Sequence, residues 1–211
     1  MGIKDWLQGL KKEKKVVEGE AVKDKTYTSN NTFPDLLTAE KEFRRATEKL
    51  FKVNSWTKLP GISSTFQLYN PQGEKKHAGK PQHRDFIKII LPGPFPENWV
   101  MVTDIKEEDK SAEFTVSPSK NPTEKGKGQK EIEHFFIDDA TSTFKVYLQD
   151  KTIYAYEVGK NEGINNQEGK EAGKRKFINT IIAEGGWAGF QKFQWKKLTD
   201  YLVHKIEIKD N

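Results

Sequence analysis

His134 alternates with apolar neighbours in Glu131-Ile132-Glu133-His134-Phe135-Phe136, which makes it the histidine of this chain best placed to act as a buried acid or base. No partner for it is identifiable in the sequence, and a hydrogen-bonded core histidine is the commoner outcome. His134 is therefore a catalytic candidate that nothing else in the chain requires. His77 and His83 lie in the polar run 75–85, where two imidazoles and a carboxylate could bind zinc, but their spacing matches no helical or knuckle arrangement. An exposed loop between strands is the better reading. Glu107-Glu108 and Asp138-Asp139 are adjacent in sequence, so their side chains diverge on a strand or turn and make poor acid/base partners. Asn161-Glu162 could place polar groups at a pocket mouth, although an ordinary turn is the simpler account. The chain has no GxxxxGK[ST] phosphate loop, no GxSxG elbow and no HExxH helix. Neither a metal nor a cofactor is implied, and binding is favoured over catalysis.

Composition narrows the classes further. A chain of 211 residues suits one domain, and its 34% hydrophobic content includes thirteen Phe, six Tyr and five Trp, enough for an aromatic core. Without cysteine there is no disulfide, thiolate nucleophile or thiolate-bound metal. The net charge of +5 raises the question of nucleic acid, but the Lys and Arg residues interleave with acids, as in Lys11-Lys12-Glu13-Lys14-Lys15, and read as solvated surface. Nucleic-acid binding is not expected. No apolar run is long enough to span a membrane, and there is no secretory signal, so a cytoplasmic protein is expected.

The elements that must position any site divide the chain in three. Residues 1–32 read as an N-terminal extension, with Ile3, Trp6, Leu7 and Leu10 at helical spacing followed by a linker; residues 2–15 could recruit a protein partner. Residues 33–206 form the domain, and 207–211 a tail. A helix is predicted over 35–53, with Thr38 a candidate cap. Seven short segments rich in β-branched and aromatic residues follow: 64–69, 85–91, 99–105, 112–116, 132–137, 143–148 and 152–158. Turn chemistry separates them, including Pro60-Gly61 and the tight Gln149-Asp150-Lys151 hairpin, which predicts an antiparallel meander. The last long segment, 174–204, has helical periodicity and would cover the sheet.

Alternation groups Phe144, Val146 and Leu148 on one face of their strand, and Tyr154, Tyr156 and Val158 on one face of the next. The face toward the helix is expected to hold Met101, Phe114, His134, Phe136, Tyr154 and Tyr156. Gly185, Gly186 and Gly189, in the middle of the helical segment, would let sheet or ligand approach the helix backbone. These residues together make the candidate ligand-binding set.

The order of helix, Trp56-Thr57-Lys58-Leu59-Pro60-Gly61 turn, strands, Pro92-Gly93-Pro94 and terminal helix resembles the START-like helix-grip superfamily of lipid-transfer and polyketide cyclase-like proteins. The likeness covers roughly residues 35–206, and its motifs mark an architecture without chemistry. It implies an α+β fold with a curved antiparallel sheet wrapped around a long C-terminal helix. It also implies a small hydrophobic or amphipathic ligand, lipid-like or polycyclic, between the two. Cyclase-like or hydrolytic action on that ligand is the alternative. Members open with a strand before the first helix, for which this chain offers only Val16-Val17 or Lys25-Thr26-Tyr27-Thr28.

Overall fold

A computed structural model describes residues 23–91, 98–124, 139–162 and 186–208. In chain order the elements are β1 (Lys23–Thr32), α1 (Leu36–Phe51), a short 3₁₀ segment (Val53–Lys58), β2 (Thr65–Tyr69), β3 (Phe86–Ile90), β4 (Asn98–Glu108), β5 (Ser111–Pro118), β6 (Thr141–Gln149), β7 (Thr152–Glu162) and α2 (Gly186–Leu202). The strands form one antiparallel sheet in the order β1-β7-β6-β5-β4-β3-β2, curved as a helix-grip sheet is. The helix-grip expectation holds for this architecture. Expected segments 1–22 and 132–137, and the helical run before Gly186, lie outside the described residues.

Residues 23–32 correct the reading of 1–32 as extension and linker. They form a ten-residue edge strand whose Thr26 to Thr32 pair residue by residue with Val158 to Thr152 of β7. The side chains facing inward from β1 are polar because they dock by hydrogen bonds. Ser29 Oγ lies 2.8 Å from both Thr199 Oγ1 and Asp200 Oδ1, and Asn31 Nδ2 donates to the Val203 carbonyl at 2.9 Å. Lys196 Nζ adds a 2.7 Å bond to Ser29 Oγ. The end of α2 is thus fixed across the sheet edge.

Helix α1 is capped by Asp35, not Thr38. Asp35 sits in extended conformation and its carboxylate accepts from the Thr38 N–H at 2.8 Å, satisfying a donor the helix cannot use. The buried face of α1 carries Ala39, Phe43, Ala46 and Leu50 toward the sheet. The 3₁₀ segment then seals the other sheet edge. Asn54 Oδ1 accepts from the Leu68 N–H at 2.7 Å, and Thr57 Oγ1 accepts from the Phe66 N–H at 2.9 Å. Side chains here take over backbone groups that an edge strand would leave open to another chain. Gly61, with φ of 81°, turns the chain beneath Phe193 of α2; a side chain there would meet both strain and the Phe193 ring.

Helix α2 ends in a Schellman arrangement. His204 takes the left-handed position at φ 63°, the Lys205 N–H bonds to the Asp200 carbonyl at 2.8 Å, and the His204 N–H bonds to the Tyr201 carbonyl at 3.1 Å. The following residues return to the core, where Ile206 and Ile208 pack against it and Glu207 bonds Lys49. The expected tail at 207–211 is therefore docked at its start.

Candidate ligand-binding site

The concave face of the sheet is filled from one end by aromatic rings. Trp56 donates its indole N–H to the Lys49 carbonyl at 3.0 Å, which fixes the ring under the end of α1. Its neighbours are Phe66, Phe114 and Phe144, with ring centroids 5.6, 6.0 and 5.1 Å away. Trp195 of α2 closes on Phe144 at 5.4 Å. Such contacts add to the free energy of burying the rings and hold them in place.

Between these rings and the ends of β3, β4, β5 and β6 lies a cavity of about 60 Å³, lined almost entirely by apolar atoms. Trp56 and Phe144 form one wall, Trp195 another, and Val116, Pro118 and Ser142 the sheet side. A dry apolar cavity of about 150 Å³ accepts benzene. The space between the described residues therefore suits a chain or the edge of a ring more than a polycyclic body.

The expected site residues separate on this geometry. Phe114 is fully buried in the aromatic cluster, one ring behind the cavity wall. Met101, Tyr154 and Tyr156 are corrections. The inner positions of β4 are Val100 and Val102, and those of β7 are Ile153 and Ala155, so these three side chains stand on the outer face. There Tyr147 stacks between Tyr154 and Tyr156, at centroid distances of 4.9 and 5.8 Å. The adjacent Tyr156 hydroxyl pushes the Tyr147 phenol up to about 12. Gly186 and Gly189 lie in the backbone of α2. His134, Phe136 and Gly185 lie outside the described residues. His77 and His83 are exposed between β2 and β3, as the sequence predicts, and among the described residues no cluster of three or more His, Asp or Glu could hold a metal.

Sequence reasoning missed Glu157. It occupies the inner position after Ala155, is 0% exposed, and neither carboxyl oxygen has a hydrogen-bond partner. Burial pushes its carboxyl well above the ordinary glutamate range, and the charge of Glu162 pushes it further. The Ser142 hydroxyl, outside hydrogen-bond geometry, and Lys25 act in the opposite direction. An unsatisfied buried polar group costs about 1–3 kcal/mol. Glu162, at a position the sequence nominates, is also buried. It folds back over Gly159, filling the space a side chain there would need.

A second polar cluster ties α1 to the end of α2. The buried Lys49 ammonium donates to the Tyr201 carbonyl at 3.0 Å, to Glu207 Oε1 at 2.8 Å and to His204 Nδ1 at 2.7 Å. His204 Nε2 donates to the Glu42 carbonyl at 2.9 Å, which makes the ring the neutral Nε2–H tautomer. Burial holds both Lys49 and His204 below their ordinary values, and Lys49 itself lowers His204 further. Burial alone would raise Glu207, but the Lys49 ammonium outweighs it and lowers the carboxyl. With a bonding partner for each ammonium hydrogen and both ring nitrogens, this cluster is a structural lock.

Curved antiparallel sheet, covering terminal helix and interior cavity define a helix-grip protein. A crystal structure of hypothetical protein jhp0584 from Helicobacter pylori shares the fold at 13% identity, with a TM-score of 0.51 over 89% of this chain and 92% of that one. Norcoclaurine synthase from Thalictrum flavum, at 10% identity and a TM-score of 0.42, covers 92% of this chain and 94% of its own. Major latex-like protein 151 from Panax ginseng, at 13% identity and a TM-score of 0.35, covers 77% and 96%. No family model and no curated protein sequence matches the chain. Among the described residues no helix is long and apolar enough to cross a membrane.

Proposed function

We propose that this protein binds a small, largely apolar molecule between the sheet and α2. The observation that carries this reading is the apolar cavity lined by Trp56, Phe144 and Trp195 within an aromatic core. Interiors normally leave few voids larger than a water, and an apolar hollow with a few polar groups beside it is the usual form of a ligand site. Ser142, among the lining residues, supplies such a polar group.

Native mass spectrometry of protein purified gently from its source, compared with Val116→Phe purified the same way, tests the reading. Val116 lines the cavity, and the larger ring fills it. The expected result is a bound mass on the natural protein that the folded variant lacks. A bare natural protein, or a bound mass that V116F retains, would contradict it.

A further inference from the structure

The inner face of the sheet changes character along β7. Ile153 and Ala155 belong to the core, and the next inward residue is Glu157, fully buried and without a hydrogen-bond partner. In the β6–β7 register Glu157 stands opposite Phe144, and the Ser142 hydroxyl beside it acts on its carboxyl. Phe144 and Ser142 both line the cavity, so the carboxyl stands one residue behind its lining. The buried carboxyl of Glu162 folds over Gly159 on the same face. On β1, Tyr27 lies opposite Glu157 and Lys25 opposite Gly159, while Lys196 and Asp200 of α2 engage Ser29, further along the strand.

We propose that Glu157 anchors the head group of the bound molecule, and that this head group is a protonated nitrogen on an otherwise apolar body. The inference rests on the cavity being a ligand site. A carboxyl in a dry site needs a donor, and a hydroxyl would supply only that. An ammonium also supplies the charge that permits Glu157 to ionise, in a field that Glu162 makes more negative. The aromatic walls favour the same choice, because a cation is attracted to a ring face. A trapped water would satisfy Glu157 without selecting any ligand, and the test must separate the two.

Calorimetric titration of the full chain at pH 7 with n-butylamine and with 1-butanol compares two probes of equal length that differ in the head group. The proposal predicts that butylamine binds at least tenfold more tightly, and that Glu157→Gln abolishes this preference. Burial raises the Glu157 carboxyl, so pairing with butylammonium favours proton release from it; the butylamine binding enthalpy should then depend on the ionisation enthalpy of the buffer more than that of 1-butanol does, a readout that needs no variant. If 1-butanol binds and butylamine is no tighter, or if E157Q keeps the preference, the proposal falls and the cavity reading stands. If neither probe binds, both fall.

Discussion

Lys49 and Glu157 are both buried charged residue types on the inner side of one small fold, and they are treated in opposite ways. Lys49 has a carbonyl, an imidazole and a carboxylate as acceptors within 3.0 Å. Glu157 has no hydrogen-bond partner for either oxygen. Full pairing at one end of α2 locks two helices together, and a missing partner beside the cavity leaves a group for something else to satisfy. Among the described residues Thr47, Asp85, Trp99 and Gln194 each leave one buried polar atom without a partner, and Glu157 leaves two.

Removing partners from the satisfied end should do the most damage. Lys49→Met removes the donor to His204 Nδ1 and Glu207 and one of the two donors to the Tyr201 carbonyl, and is expected to cost about 3 kcal/mol in urea unfolding. Glu157→Gln should have the opposite sign. A raised carboxyl weakens the fold as pH rises from the ordinary glutamate value toward its folded value. Removing the ionisable carboxyl is expected to stabilise the protein by about 1–2 kcal/mol near pH 7.5, with less gain at pH 5; a loss at both pH values would break the contrast. Ser29→Ala, at the β1–α2 seam, should cost about 1 kcal/mol. The smallest effect is the pH response of His204. Its folded value lies below the ordinary 6.5, chiefly through burial, so the unfolded chain binds the extra proton and stability falls as pH drops through about 6.5. The midpoint of thermal unfolding should fall between pH 7.5 and 5.5 more steeply in the natural protein than in His204→Asn, since Asn tolerates the left-handed backbone.

The same contrast explains what the sequence disclosed. Central strands were legible because β5 and β6 alternate a largely apolar inner face with a more polar outer one, as Phe144, Val146 and Leu148 do. The turn at Pro60-Gly61 and the Gln149-Asp150-Lys151 hairpin were legible from residue chemistry alone. Strand β1 was legible only as the poor candidate Lys25-Thr26-Tyr27-Thr28, because its inward residues Ser29 and Asn31 dock by hydrogen bonds and show no apolar period. On β7 alternation pointed the wrong way. The outer face carries Tyr154 and Tyr156 while the inner carries Ala155 and Glu157, so hydrophobicity selected the tyrosines and passed over the acid. A better signal was available in Ile153-x-Ala155-x-Glu157-x-Gly159, which shares the inward phase of its hairpin partner, although only strand register makes that phase readable.

The central claim, that the space under α2 is a binding site, can be read from tryptophan indole resonances in ¹⁵N-labelled protein titrated with 1-butanol. Trp56 and Trp195 line the cavity, whereas Trp99 packs on Tyr69 on the other face of the sheet. Saturable shifts of the Trp56 and Trp195 indole N–H signals with Trp99 unmoved are the predicted result. Equal movement of all three, or no saturable shift at Trp56 and Trp195, would contradict it.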